Sequence, residues 1–393
     1  MYIFLLATIL LVILAILAFI YLANKRNMLH WLPSYITQYF YRNKKNPDGI
    51  THVMFCFVDH YEPQWKNPNN IDLERKRVDR WFDQYPKMAD KFKDADGYSP
   101  KHSFFYPEEE YREEHLAKLS DMCYRGDGEI EIHLHHENDT SENLTQSLTN
   151  FAKVLHENHG ALPVDPETGQ IKYAFIHGNW CLDNSHPNGE WCGVNDELIV
   201  LNKTGCYVDL TFPSAPSPTQ PKTINSIYYA KDNPEKPKSH DTGKKLKVGG
   251  KAWGDLLLIN GPLMLNWKRR KFGFMPRVEN ADIRTSNPPS KDRIDLWVKA
   301  NVHVKGQPNW RFIKIHTHGT QDKDMDILLG KPVENMHKYL GDKYNDGKQY
   351  QLHYVSSREM YNIVKAAEAG KTENPNLYRN FELPKPTFKA LNL

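Results

Sequence analysis

The sequence predicts an α/β protein in which a parallel sheet, closed as a barrel or open, is built from strands joined by helical crossovers. The apolar run THVMFCFVDHYEP ends in polar residues, as the first buried strand of such a domain should. The next segment, NIDLERKRVDRWFDQYPKMADKF, has apolar residues at helical spacing and dense charge on its other face. The two patterns then alternate along the chain, which is typical of a parallel sheet with crossovers.

The first half of the chain continues this alternation. HSFFYPEEEYREEHLAKLSDMCYRG repeats it, with Pro107 near the start of a helix that ends around Gly126. In GEIEIHLHH, glutamates and histidines alternate with apolar residues, so His133 and His135 should point to the same side of a strand. A capped loop and an amphipathic helix should follow in ENDTSENLTQSLTNFAKVLHENHG. IKYAFIHGNW and GCYVDLTFPS predict two more strands.

The second half is less regular. Residues 214–289 are dense in Pro, Lys and Asn, which predicts a long insertion with some strands, such as GDLLLINGP. The basic run NWKRRKF within it is interpreted as a solvated face. RIDLWVKANVHV and RFIKIHTHG return to α/β character, and SSREMYNIVKAAEAG predicts a last helix.

Composition excludes several classes of protein. The 393 residues can hold one large domain or two ordinary ones. The 51 basic and 48 acidic residues are mixed along the chain and leave a net charge of +3, so nucleic acid is not an expected partner. The five cysteines form no Cys-x-x-Cys pair, which argues against a disulfide framework or a zinc ribbon and for reduced thiols.

The N-terminus predicts a membrane anchor. The first 23 residues carry no charged side chain and are long enough to cross a bilayer as a helix. No basic region precedes them and no small-residue cleavage site follows, which favours a permanent anchor at residues 1–26 over a cleaved signal peptide. The juxtamembrane segment at residues 27–49 is basic, which places the globular part in the cytoplasm. The basic residues after the span are Lys25, Arg26, Arg42, Lys44 and Lys45.

Several predicted strands end in residues that can perform chemistry. They are Asp59 and His60, His133 and His135, His177 to Trp180, Asp209, and His316 and His318. Taken alone, each could cap a helix or satisfy a buried carbonyl. Their recurrence at strand ends, where α/β enzymes place active sites, argues for one site. A catalytic zinc needs about three protein ligands, while a nearby carboxylate and histidine can act as base and acid.

Five segments, in order, resemble the motifs of the polysaccharide deacetylase-like family, most closely the divergent branch found among exopolysaccharide biosynthesis proteins. They are FCFVDHYEP, EIEIHLHH, AFIHGNW, GCYVDLTFPSAP and FIKIHTHG. The resemblance implies a distorted (β/α) barrel at residues 50–370, interrupted by the insertion, with a C-terminal tail at 371–393. It also implies a divalent metal and hydrolysis of an N-acetyl or O-acetyl group on a glycan, which could be lipid-linked.

The resemblance assigns roles to individual residues. Asp59 matches the catalytic base, and His60 stands where the family has a metal-binding aspartate. His133 matches the first metal-binding histidine and His135 is the best third ligand, so that three histidines would suit zinc. The acid is matched by His316 or His318. Residues expected to contact substrate are Glu62, Asn179, Trp180 and Asp209.

Three departures from the family pattern keep other functions open. Asp59-His60 replaces Asp-Asp, Glu137 stands where the second metal histidine is usual, and His177 stands in place of an arginine. One alternative is an amidohydrolase-type or phosphoesterase-type metal hydrolase, in which His-x-His also gathers metals. The other is an inactive glycan-binding pseudoenzyme, which would hold no metal.

Overall fold

The computed structural model describes residues 1–42 and 49–391 of the chain. Lys44 and Lys45 of the predicted basic flank, and the last two residues of the predicted tail, lie outside the described residues. The helices are α1 (Tyr2–Lys25), α2 (Leu32–Arg42), α3 (Ile71–Ala89), α4 (Glu113–Arg125), α5 (Ser141–His159), α6 (Glu197–Thr204), α7 (Lys291–Lys299), α8 (Asp322–Leu328), α9 (Lys331–Tyr344) and α10 (Ser357–Glu368). The strands are β1 (Thr51–His60), β2 (His102–Pro107), β3 (Gly128–Leu134), β4 (Tyr173–His177), β5 (Cys206–Asp209), β6 (Ser226–Ala230), β7 (Lys244–Lys245), β8 (Leu256–Asn260), β9 (Met264–Lys271), β10 (Met275–Glu279), β11 (Asp282–Ile283), β12 (Trp310–Thr317) and β13 (Tyr350–Val355).

The predicted α/β class is confirmed: one large sheet, mostly parallel, forms the centre of the molecule. Its strand order is β11-β12-β1-β2-β3-β4-β5-β8-β6-β7, and β13 pairs with β1 beside β2. The pairs from β11 to β8 are parallel, whereas β6 is antiparallel to β8 and β7. The barrel is not confirmed, because no sheet closes on itself within the described residues. β9 and β10 form a separate antiparallel ribbon.

Local sequence explains where several helices begin and end. Thr140 caps α5 by accepting a hydrogen bond from the N–H of Asn143, and Gly160 ends that helix in the left-handed conformation. Ser356 and Glu359 form a reciprocal capping box at the start of α10. The two caps start the helices that follow β3 and β13 along the chain.

The two faces of the sheet are covered differently. Helices α3 to α9 pack on one face, where the side chains of Phe55, Phe57, Ile130 and Ile132 meet them. On the other face, α10 covers the amino-terminal part of the strands, against residues such as Cys56. Because strand side chains alternate, neighbouring residues at a strand end belong to opposite faces. The histidines of β1 and β3 lie on the α10 face, beyond the end of α10.

Helix α1 is long and apolar enough to cross a membrane, and its central part has no buried residue. Its end is held to the domain by a small apolar cluster, in which Trp31 and Met28 pack against Leu263 and Leu265. The side chain of Asn27 donates to the carbonyl of Pro216. The segment after α1 is therefore docked on the predicted insertion.

Candidate metal centre

Parallel pairing brings the ends of β1, β3 and β12 together. His60 is the last residue of β1, His133 lies near the end of β3, and His318 follows β12. In the order β12-β1-β2-β3, β12 is next to β1, and only β2 separates β1 from β3. Their side chains therefore converge at the carboxyl edge of the sheet.

His60, Glu62 and His133 form a compact set of possible metal ligands. One ligand atom from each lies within 4.8 Å of the others. His60 and Glu62 are each 3% exposed and His133 is 0% exposed, so the set is shielded from bulk water. One carboxylate oxygen of Glu62, Oε2, is buried without a hydrogen-bond partner among the described residues. Two imidazoles and a carboxylate are the protein ligands of several catalytic zinc sites, so these residues fit a divalent cation.

The orientation of the imidazoles also fits a cation. Nδ1 of His133 lies 2.7 Å from the carbonyl oxygen of Ile176, which can only accept, so Nδ1 carries the proton. The Nε2 atom of the neutral ring is then a lone pair, 3.3 Å from Oε1 of Glu62. An acceptor facing an acceptor is unfavourable unless a cation or a proton lies between them. Hydrogen bonding of the second ring nitrogen is how proteins orient metal-binding histidines.

His135 repeats this arrangement from a more open position. Its Nδ1 lies 2.5 Å from a carboxylate oxygen of Glu109, and its Nε2 lies 3.5 Å from Oε1 of Glu62. Its side chain is 32% exposed. The ring can sit here because Gly178 has no side chain, since a Cβ atom at that position would collide with the imidazole. His135 therefore lies at the mouth of the cluster.

His318 stacks on His60, with ring centroids 4.7 Å apart and planes at 20°. Neither of its ring nitrogens has a hydrogen bond within residues 1–42 and 49–391. Two half-buried indoles flank it: the rings of Trp65 and Trp180 lie 6.0 and 6.2 Å from its centroid. His318 therefore lies among His60 and the two indoles with both ring nitrogens unbonded among the described residues.

The electrostatics keep most of these imidazoles neutral. Burial lowers the pKa of His133 to about 3, and burial together with His318 and His133 holds the pKa of His60 well below its usual range. Burial also lowers the pKa of His318. Burial acts in the same direction on His135, but its hydrogen bond to Glu109 and the nearby Glu62 outweigh it and raise its pKa. Neutral imidazole is the form that binds metal ions.

Asp59 lies on the face opposite to His60. Its carboxylate accepts hydrogen bonds from Nε2 of His102, at 2.8 Å, and from the N–H of Gly319, at 2.5 Å. It is fully buried, and His102 packs among the aromatic residues of the helix-covered core. Both carboxylate oxygens are therefore occupied, and Asp59 positions the turn that carries His318. Its predicted role as base stays a prediction.

The remaining predicted residues are spread more widely. His316 is 4% exposed, and its Nε2 lies 4.0 Å from Asp282 rather than at the opening. Asp209 is 1% exposed and accepts hydrogen bonds from the N–H and hydroxyl of Thr211. Asn179 is exposed beside Trp180, whose ring lies 6.3 Å from that of His60. A cavity of about 670 Å³ lies elsewhere, at the amino-terminal end of β5 around Tyr207.

Sequence reasoning placed Glu62 with the substrate contacts, whereas the structure places its carboxylate between the imidazoles. Glu109 and Trp65 were not predicted. Glu109 lies in a run of three glutamates whose spacing carries no sign of a partner, and Trp65 lies in a turn after β1. The one sequence feature that could have pointed to Trp65 is its position five residues after His60.

The chain matches no protein-family model and no curated protein. The site is thus defined by its own geometry.

Proposed function

We propose that the protein is a membrane-tethered, metal-dependent hydrolase that removes acetyl groups from a sugar or polysaccharide in glycan biosynthesis. The observation that carries this proposal is the convergence of His60, Glu62 and His133 at the carboxyl edge of the sheet, beside an unbonded histidine and two half-buried indoles. The acetylated glycan as substrate comes from the ordered motifs that resemble the polysaccharide deacetylase-like family.

His60, Glu62 and His133 would hold the ion, with His135 adjacent to them; zinc is the proposed metal because two imidazoles and a carboxylate suit it. When bound, such an ion polarises an acyl carbonyl and makes a water molecule more acidic. The protein contributes an imidazole, His133, that is already held in position by Ile176. It also contributes a buried ligand set in which charge interactions are stronger than in water.

His318 is the proposed acid. Its ring makes no hydrogen bond within the described residues and lies at the opening, so it can give a proton to the departing amine or alkoxide of the sugar. Asp59 fixes the backbone of Gly319 next to it. For Asp59 to act as the base, as the family resemblance implies, its carboxylate would have to release His102 or Gly319. The present hydrogen bonds support a positioning role better.

The aromatic rings support a glycan substrate. Trp65 and Trp180 flank the opening, and flat aromatic faces bind the apolar faces of sugar rings while leaving the hydroxyl groups in water.

The distorted barrel is supported by backbone hydrogen bonds across the open side of the sheet. Val302 accepts from the N–H of Phe312 on β12, and the N–H of Lys305 donates to Leu246 near β7.

The membrane anchor is proposed to be α1, with the catalytic part in the cytoplasm. Lys25 and Arg26 at its end support this orientation under the positive-inside tendency. A C-terminal reporter fusion tests it: reporter activity restricted to the far side of the membrane would overturn the orientation and leave the span intact.

Acetate release tests the activity. The full chain in detergent, loaded with zinc, is incubated with acetylated oligosaccharides, and His133→Ala is compared with His156→Gln, which removes a histidine of α5 outside the site. We expect release that His133→Ala reduces to the level of metal-stripped protein and His156→Gln leaves unchanged. Bound metal with hydrolysis of phosphate esters instead would favour the phosphoesterase alternative. Absence of metal binding would favour the pseudoenzyme.

A further inference from the structure

We infer that the chain holds a second divalent metal ion, bound by His136, His177 and Glu197, which ties the connections after β3 and β4 to α6. One ligand atom from each of these residues lies within 4.8 Å of the others. His136 follows β3 directly, His177 ends β4, and Glu197 is the first residue of α6. We call these three residues the second cluster, and His60, Glu62 and His133 the first cluster.

The imidazoles of the second cluster are anchored so that their lone pairs meet at the carboxylate. Nδ1 of His177 donates to the carbonyl of Gly178, and Nδ1 of His136 lies 3.0 Å from a carboxylate oxygen of Asp139. Their Nε2 atoms lie 3.5 and 3.2 Å from Oε1 of Glu197. Carbonyl and carboxylate groups behind metal-binding histidines hold the ring and its tautomer in this way.

Without a metal ion, hydrogen bonds account for the position of His136 but not for that of His177. A doubly protonated His136 could bridge the carboxylates of Asp139 and Glu197. His177 differs, because its Nδ1 donates to the carbonyl of Gly178 while its Nε2, 3.5 Å from Oε1 of Glu197, makes no hydrogen bond. This Nε2 is buried without a hydrogen-bond partner within the described residues, in a side chain that is 0% exposed. A buried lone pair that faces a carboxylate oxygen is unfavourable unless a cation or a proton lies between them, and a metal ion meets this need for both histidines at once.

The second cluster is closed, which indicates a structural ion. The side chains of His136, His177 and Glu197 are 6%, 0% and 0% exposed. The second oxygen of Glu197 accepts the N–H of Asp183 at 2.5 Å, so the carboxylate is fixed as well. Gly193 lies against His136, where a Cβ atom would collide with the imidazole. Structural zinc takes four ligands in an enclosed site, and this cluster supplies three of them.

Counting zinc tests this inference. The full chain in detergent is stripped with a chelator and titrated with Zn²⁺ against a competing chromophoric chelator. We expect two high-affinity equivalents in the wild type and one in Glu197→Gln. The matched control is Glu190→Gln, which changes a 54% exposed glutamate on the same connection and should keep both equivalents. Two equivalents in Glu197→Gln would overturn the second site.

His133→Ala makes the test independent of the folding of Glu197→Gln, because it leaves the second cluster intact. We expect it to retain one equivalent and a zinc-dependent rise in melting temperature. If it retains none, the second cluster does not bind metal. If the wild type binds one equivalent that His133→Ala keeps and Glu197→Gln loses, the first cluster fails as a metal centre while the second stands.

A separate observation carries a second proposal: the geometry points to the β9–β10 ribbon as a contact with the surface of an anionic membrane. The ribbon exposes three aromatic side chains, with Trp267, Phe272 and Phe274 at 56%, 78% and 64% exposure. They flank the basic run from Lys268 to Lys271. Aromatic rings at the level of the headgroups and cations against anionic lipid are the side chains that such surfaces bind. The basic run NWKRRKF, interpreted from the sequence as a solvated face, would then contact anionic lipid.

The base of the ribbon packs on the end of α1. Leu265 of β9 and Val278 of β10 belong to the apolar cluster that includes Ala23 and Trp31. The pKa of Lys271 is lowered chiefly by the charge of Arg26, which places the tip of the ribbon near the end of the helix. This proposal rests on α1 being the anchor proposed above, because an inserted α1 would bring the ribbon to the bilayer surface.

Site-specific fluorescence tests the contact in the full chain, in nanodiscs containing anionic lipid. Since the native cysteines are all buried, cysteines introduced by Phe272→Cys, Leu10→Cys and Lys348→Cys can be labelled selectively with an environment-sensitive dye. We expect quenching by lipid-borne quenchers at positions 10 and 272 but not at 348, an exposed loop. Quenching at 10 alone overturns the ribbon contact, whereas quenching at neither 10 nor 272 overturns the anchor and the contact together.

Discussion

The first and second clusters have similar ligands, but different residues surround them. In the second cluster, His136 and His177 are held through Nδ1 and direct Nε2 at Oε1 of Glu197. At the first cluster, His133 and the neighbouring His135 are held in the same way and direct Nε2 at Oε1 of Glu62. The first cluster has a half-exposed rim of His135 and two indoles, whereas the second is enclosed by its own loops. The ligand side chains of the two clusters are equally buried, so the clusters differ in the residues that surround them.

Consecutive residues lie at the two clusters: His135 borders the first and His136 belongs to the second. His135 and His136 leave the end of β3 in opposite directions, and each fits against a glycine, Gly178 or Gly193, that could not carry a side chain there. The comparison teaches that a carboxylate close to two histidines identifies a possible cation site. Whether the residues around the site leave room for a substrate then decides between a catalytic and a structural ion. The following tests separate the two clusters.

Replacing His318 by Gln should produce the largest difference. The side chain keeps a similar size but cannot give a proton, so acetate release should fall by about 10²–10⁴-fold while both zinc equivalents remain. Steady-state rates and zinc titration on the same preparation check this. Unchanged rates would remove His318 from the mechanism, and loss of one equivalent would make it a ligand.

Chelation should distinguish the clusters by access. The ion of the first cluster should leave first and abolish activity while the second ion is still bound. The ion of the closed second cluster should leave slowly, and its loss should lower the free energy of unfolding by about 4 kcal/mol at a metal concentration of 1,000 times Kd. Following zinc release, activity and melting temperature over the same time course checks this; simultaneous loss of all three would contradict it.

Asp139 and Glu109, which bond Nδ1 of His136 and His135, can be tested as a matched pair. Asp139→Asn should weaken zinc at the second cluster by about 10–100-fold and leave the first unchanged. Glu109→Gln should do the same at the first cluster if His135 is a ligand. Competition titrations of both variants measure this. An unaltered affinity in Glu109→Gln would show that His135 only borders the site.

The glycines should give the smallest effects, because no ligand is removed. Gly178→Ala should displace His135 and reduce acetate release, whereas Gly193→Ala should displace His136 and reduce zinc-dependent stability. Activity and thermal denaturation are measured for both variants. If both variants lose the same property, the two imidazoles do not serve separate clusters.

The sequence by itself determined the alternation of strands and helices, the apolar helix α1, and the gathering of strand-end histidines at one edge. These follow from local periodicity and from the geometry of parallel sheets, in which carboxyl ends align. His60 and His133 were predicted together for that reason. The strand alternation also indicated that Asp59 and His60 diverge, although it could not show what Asp59 meets.

Only the tertiary structure decided which acids join the histidines. Glu197 meets His136 across 61 positions of sequence and Glu109 meets His135 across 26, through turns that have no periodic pattern to read. Glu62 turned inward to the imidazoles, and Asp59 was occupied by His102 and Gly319, because buried polar atoms must find partners and the packing of distant segments supplies them. The separation of His135 from His136 likewise depends on two glycines brought from the next connection, so it is a property of the fold.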